Sequence, residues 1–169
     1  MKKVSGRELV LMAFYVALFM VVDVVTNMIP FLQMPNGGSL GLSSVVLLLA
    51  SYQFGWKKGT LICVVAVMLM FVTGPMYVPD LAGFVLDYLI AFSVYGLACL
   101  FPNFGWFYSG VLATNILRFI SSTISGVYVW KVDWVGSLVY QASYMIPTTI
   151  AGLIFVPLLW KAIKGKANK

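Results

Sequence analysis

Hydrophobic residues in this chain come in long blocks closed by Pro, Gly or charge, with little of the alternation that marks a half-buried strand. The first block runs from Glu8 to Ile29 and stops at Pro30, and the second covers Leu40 to Phe54 and stops at Gly55. The third is Thr60 to Thr73, closed by Gly74-Pro75, and the fourth is Leu81 to Phe101, ending at Pro102. The fifth extends from Phe104 to Trp130, and the sixth from Ser137 to Trp160 with Pro147 and Pro157 inside it. A helix needs about 20 apolar residues to cross a bilayer, whereas strands are much shorter. The blocks therefore predict spans at 8–29, 40–54, 60–73, 81–101, 104–130 and 137–160. The expected fold is an all-α integral membrane protein with six transmembrane helices in one domain, 1–169.

Composition agrees. Of 169 residues, 62% are hydrophobic and 9% charged, against about 25% charged in an ordinary soluble domain. The net charge of +6 could suggest a nucleic-acid partner, but its distribution argues otherwise. Lys2, Lys3 and Arg7 precede the first span, Lys57 and Lys58 separate the second from the third, and Lys161, Lys164, Lys166 and Lys169 follow the last. Basic residues beside hydrophobic spans hold loops in the cytoplasm. With the N-terminus inside, the inner segments carry these nine Lys/Arg and the outer segments carry only Lys131. Both termini are expected to be cytoplasmic, in the cell membrane of a bacterium, with the lipid bilayer as the surrounding partner and no nucleic acid.

Several chemistries drop out. There is no His, which removes imidazole metal sites and bases. Cys63 and Cys99 lie inside apolar spans, where they read as packing residues. The first span is too long for a signal peptide and is followed by Asp23 and Asn27 where a small-residue cleavage site would stand. No Walker loop is present, so the chain has no ATPase of its own. Neither an enzyme, a metal nor a cofactor is expected.

Two ionisable residues stand deep in the spans, Asp87 in the fourth and Arg118 in the fifth. A charge at that depth costs about 2.5–3.5 kcal/mol on insertion scales, so it must meet a partner or a wet hollow. They could pair with each other and merely fasten two helices, or border a ligand site. Arg118, Ser122 and Gly126 follow an i, i+4, i+8 stripe that leads towards Trp130. Tyr140, Gln141, Ser143 and Tyr144 stand near the outer end of the sixth span. The outer loop Met34-Pro-Asn-Gly-Gly-Ser39 could fold over such a site as a lid, with Asn36, Gly37, Gly38 and Ser39 at its tip. Ala13 and Ala17 form a small-residue step on the first span that lets another helix approach. Asp23 could be a cap, a surface group or part of the site.

Taken in order, these pieces resemble the thiamine-specific substrate-binding (S) components of energy-coupling factor (ECF) transporters. The resemblance rests on the 34–39 loop, the Gly55-Trp-Lys-Lys-Gly59 turn, Leu86-Asp87-Tyr88 with Ala91-Phe92, and Arg118-Phe119. It continues through Ser125-Gly126-Val127, Trp130, Ser137-Leu138 with Tyr140, then Ser143-Tyr144 and Pro147. It implies a six-helix vitamin-capture subunit that assembles with a coupling membrane protein and two cytoplasmic ATPases. Ala13 and Ala17 would meet the coupling protein. Asp87, Tyr88, Arg118, Gly126, Trp130 and Tyr140 would line or adjoin the pocket, and Ser122, Gln141 and Tyr144 are added from their positions. Four positions depart from the family's usual residues: Gly83 for Gln, Ser122 for His, Gln141-Ala142 for Asn-Gly, and Thr148 for an acid. A thiamine precursor or another aromatic heterocycle is thus a rival ligand. A stand-alone small secondary transporter or channel for a different molecule is the rival function.

Overall fold

The computed structural model describes residues 5–34, 38–73 and 76–167, with side chains through Lys164. It is an all-α membrane bundle of five helices, of which α1 (Gly6–Asn27), α2 (Ser44–Thr73), α3 (Leu81–Leu100) and α5 (Trp134–Ala167) are long and apolar enough to cross a bilayer. The fifth, α4 (Ser109–Tyr128), carries the polar stripe. A two-residue-stranded hairpin, β1 (Asn103–Phe104) and β2 (Phe107–Tyr108), joins α3 to α4.

Helix α1 starts where its sequence provides a cap: the Ser5 hydroxyl accepts from the Glu8 N–H at 3.2 Å, a pattern that satisfies one of the orphan donors of the first turn. α2 is one element in name but two arms in space. Gly55 has φ 78° and ψ 170°, a conformation that glycine alone adopts readily. A Cβ on Gly59 would stand 2.8 Å from the Ser51 Cα. In a straight helix these residues would be about 12 Å apart along the axis, so the arms fold back on each other at Gly55.

The first arm, 44–54, rises about 16 Å, half the hydrocarbon thickness. It is the core of the bundle, with Ser44 to Ser51 all buried. The missing length is made up by a non-helical strip, 38–43, that ends in a turn at Leu42–Ser43 leading into the helix. The second span of the sequence reading thus starts as a helix at Ser44, not residue 40, because Gly41 is held by side chains of other helices before the helix can begin. Likewise the fifth span begins at Ser109: Gly105, at φ 62°, turns the apolar run at 104–107 into the hairpin. The sixth is longer at both ends than residues 137–160.

Close packing fixes the register. A Cβ on Gly96 would lie 2.3 Å from the Thr60 N, and one on Gly110 would lie 2.0 Å from the Ala98 carbonyl oxygen. Ser51 ties the same seam, donating to the Gly96 carbonyl at 2.7 Å and accepting from the Cys99 N–H at 3.1 Å. Cys63 and Cys99 are free thiols.

Lys58 and Lys161 stand at one end of the bundle. Lys58 pairs with Glu8 at the start of α1, and Lys161 sits 3.3 Å from the Trp106 ring centroid. Tyr52 packs on both Tyr108 and Trp160. The opposite end holds Asn27, Tyr77, Trp130 and Trp134.

Candidate functional site

Helix α4 is inside-out relative to a soluble amphipathic helix. Thr114, Asn115, Arg118, Ser121, Ser122, Thr123 and Ser125 are buried, while Leu112, Ile116, Leu117 and Ile120 face outward. Such a helix suits an apolar solvent and a polar interior.

Asp87 arrives opposite this face on a π-helical stretch of α3, Phe84–Ile90. Insertions of this kind shift the phase of a helix and recur at functional sites. The Asp87 Oδ2 accepts from the Ser125 hydroxyl at 2.6 Å and from the Trp130 indole N–H at 3.0 Å. Trp130, 39% exposed, closes the exposed side of this cluster. Tyr88, the next residue, stacks on Phe92 and accepts from the Tyr77 N–H at 3.2 Å.

Arg118 lies deeper, 8% exposed. Its Nη1 donates to the Tyr95 hydroxyl at 3.1 Å, which donates to the Asn115 Oδ1 at 3.0 Å. The guanidinium carbon sits 4.4 Å from the Phe92 ring centroid, a cation–π geometry. Asp87 and Arg118 form no ion pair; among the described residues the one such pair is Lys58–Glu8. Of the two arrangements left open by the sequence, direct pairing is not the one seen: each has its own neutral partners. Physically, π-helical phasing aims Asp87 at the outer turn of α4, while Arg118 turns inward to an aromatic wall.

α5 supplies the third side. Tyr140 and Tyr144 meet edge to face at 5.8 Å. The Tyr144 hydroxyl donates to Gln141, whose Nε2 donates to the Ser122 carbonyl at 3.2 Å. Gly126 faces α5, where a Cβ would stand 2.1 Å from the Ser137 Oγ; it lets α4 and α5 close together.

The strip 38–43 covers the cluster. The Gly38 N–H donates to the Tyr140 hydroxyl and the Gly41 N–H to the Thr148 hydroxyl, each at 3.0 Å. Ser39 pairs with Gln33 across the loop. Asn36 and Gly37, also expected in the lid, lie outside the described residues. Asp23 joins the same region: its carboxylate accepts from Ser43 at 2.9 Å and from Asn27 at 3.1 Å. Ala13 and Ala17 are far from this site, exposed on α1 among Val10, Phe14 and Val21.

Two of the departures from the expected pocket pattern have structural work here. Thr148 holds Gly41 and Gln141 joins Tyr144 to α4, so neither is left unpaired in the interior. Gly83 packs between Pro79 and Val129, where a Cβ would stand 3.2 Å from each. Among the described residues no three Cys, Asp or Glu side chains gather to hold a metal ion.

Residues 9–168 match the family described as thiamine transporter protein (Thia_YuaJ). The chain belongs to that family. It is also 26% identical, over 174 aligned positions covering 90% of each chain, to the thiamine transporter ThiT of Bacillus subtilis (strain 168). This is a family of membrane transporters, not of enzymes, and the match runs through every element of the bundle.

The thiamine transporter family resemblance pointed to Asp87, Tyr88, Arg118, Gly126, Trp130 and Tyr140, and position along the spans added Tyr144; these stand toward one end of the bundle. It did not point to Tyr95, Asn115, Ser43 or Asn27. The i, i+4 spacing of Asp23 and Asn27 was the signal available for the last of these.

Proposed function

We propose that the protein is the substrate-binding subunit of an ECF-type uptake transporter, capturing thiamine or a closely related heterocycle from outside the cell. The observation that carries the reading is the Asp87 carboxylate held at the outer end of α3 by Trp130 and Ser125, beside Tyr140, Tyr144 and the strip 38–43. A carboxylate among aromatic faces suits a cationic aromatic ring, which gains from charge and from the ring quadrupoles together.

Capture proceeds by exchange of partners. In the closed arrangement described here the polar groups satisfy one another, so an entering ligand must take over the bonds that Ser125 and Gly38 now make, while Trp130 keeps the Asp87 carboxylate in place. Asp87 meets the cationic ring or its amino group; Trp130 and the two tyrosines provide the walls; Ser122 and Gln141 offer polar contacts. Gly126 contributes by letting α4 and α5 approach. The strip 38–43 with the 34–39 loop acts as the gate.

The same reading gives six crossings, counting the arms of α2 separately on either side of Gly55. Lys and Arg at the Glu8–Lys58–Lys161 end put both termini in the cytoplasm of a bacterial cell. The exposed Ala13/Ala17 face of α1 then docks on the coupling membrane protein, which transmits the work of two cytoplasmic ATPases.

Quenching of tryptophan fluorescence on titrating thiamine into the purified chain tests the capture step. A saturable response from thiamine or its precursors is expected. No response from any of them, or thiamine uptake into vesicles by this chain alone, would refute the reading.

A further inference from the structure

Arg118 is a buried cation with few bonds. A guanidinium carries five N–H donors. Among the described residues the one hydrogen bond its side chain makes runs from Nη1 to the Tyr95 hydroxyl at 3.1 Å, and its Nε has no partner. Tyr95 therefore sets where the group points. It is itself buried on α3, with its ring centroid 6.3 Å from that of Phe92, the ring beside which the guanidinium stands.

The direction of the Tyr95 proton follows from the far end of this chain of bonds. The Val111 carbonyl can only accept, so Asn115 turns its Nδ2 to it at 2.8 Å and its Oδ1 to Tyr95. The Oδ1 can only accept as well, so the hydroxyl donates its single proton to Asn115, at 3.0 Å. What remains for Arg118 is a lone pair, the half of the bond that a cation needs. Helix α4 thus supplies both ends, Asn115 and Arg118, and α3 the middle. Tyr95 is 0% and Asn115 2% exposed, so bulk water does not compete for these bonds.

The held guanidinium stands against the strip. A Cβ on Gly41 would lie 3.2 Å from the Arg118 Nη1 and 3.2 Å from the Thr148 Cγ2, and the Gly41 N–H is tied to the Thr148 hydroxyl. Gly41 is wedged between the guanidinium and α5. The nitrogen that Tyr95 holds is the one beside Gly41. A guanidinium free to swing on its long side chain would leave the strip fixed on one side only.

We propose that Tyr95 is a positioning residue for ligand capture: its hydroxyl, with its proton taken by Asn115, holds the Arg118 Nη1 against Gly41 and so keeps the strip 38–43 closed over the site. The inference rests on the capture reading above. Tyr95 acts through Arg118 and is assigned no contact with the ligand.

The test follows dissociation of thiamine, or of a precursor if that is what binds, from the purified full chain. Recovery of tryptophan fluorescence on dilution of the saturated protein gives the rate. Wild type, Tyr95→Phe, Arg118→Met and the double variant form a cycle. Tyr95→Phe keeps the ring beside Phe92 and removes the acceptor; it is expected to speed dissociation about tenfold. In the Arg118→Met background the same change is expected to shift the rate less than about twofold, because no guanidinium is left to position. Ser51→Ala removes two bonds to α3, at Gly96 and Cys99, without touching Arg118. It is expected to lower the unfolding midpoint yet leave dissociation within about twofold of wild type. A dissociation rate does not depend on the fraction of chains folded. Where Tyr95→Phe yields too little protein, Tyr95→Phe with Asn115→Leu removes the stranded acceptor as well and is expected to give the same acceleration. Equal acceleration by Tyr95→Phe in both backgrounds, none in either, or as much from Ser51→Ala overturns the proposal and leaves the capture reading standing. A wild type that binds neither thiamine nor its precursors overturns both.

Discussion

The Trp130 indole N–H donates to the Asp87 carboxylate at 3.0 Å, tying the C-terminal end of α4 to the π-helical stretch of α3. The bond puts the candidate aromatic wall and the candidate counter-charge in one unit. Trp130→Phe keeps a ring and deletes the donor. A hydrogen bond to a charged group contributes about 1.5–3 kcal/mol, so thiamine affinity is expected to fall at least about tenfold. Titration calorimetry reads the loss directly, independent of the missing tryptophan signal.

Arg118 cannot be exchanged for another cation without loss. Its guanidinium carbon stands 4.4 Å from the Phe92 ring centroid while its Nη1 reaches Tyr95, a combination that a guanidinium makes and an ammonium does not. Arg118→Lys is expected to bind ligand more weakly and to lower the unfolding midpoint. Arg118→Met should be worse for binding, since it removes both the donor to Tyr95 and the cation over Phe92 that shape this wall. Scanning fluorimetry in detergent, with and without thiamine, checks both.

Thr148→Val leaves the buried Gly41 N–H without its acceptor. An unpaired buried donor costs about 1–3 kcal/mol, and here the cost falls on the strip covering the site. Ligand dissociation is expected to speed up about tenfold with little change in the stability of α5, as followed by stopped-flow fluorescence.

Gly96→Ala tests the fold apart from the site. Its Cβ would lie 2.3 Å from the Thr60 backbone nitrogen, where no side chain can swing aside. Overpacking of this kind costs about 1–3 kcal/mol or more. The expected outcome is a lowered unfolding midpoint and reduced yield of monodisperse protein.

Ala13→Trp and Ala17→Trp place bulk on the exposed face of α1, away from the strip and the aromatic walls. Thiamine binding by the isolated chain is expected to persist. Co-purification with a coupling membrane protein and its ATPases is expected to be lost, measured by affinity pull-down from membranes.

Much of the bundle was legible in the chain because lipid imposes a simple rule on composition. The stops at Pro30, Gly55 and Pro102 fall close to real helix ends or bends, and Lys58 and Lys161 stand at one end while Lys131 stands at the other. The hairpin at 103–108 was not legible, since Phe104, Trp106 and Phe107 extend an apolar run and nothing local announces that Gly105 will turn it. The half-length arm of α2 was hidden for a similar reason: Leu40 and Leu42 look helical until Gly41 meets Thr148. Within the site, the stripe Arg118–Ser122–Gly126 is buried as its spacing implies. The partners of Arg118 and Asp23 were not readable, because helical phase places a residue on a face but does not choose the facing helix. The π-helical stretch, which carries Asp87 to Trp130, left no mark in the residues that form it.

The inward polar face of α4 has a consequence for how the protein is made. A segment bearing Arg118, Asn115 and five buried hydroxyls is a poor candidate for leaving the translocon into lipid by itself. It can settle only alongside α3, which brings Tyr95, and α5, which brings Gln141. Insertion of that helix and construction of the candidate site are then a single event during biogenesis. Lesions that spoil the polar seam would surface first as mistargeted or degraded chains, before any defect in uptake could be measured.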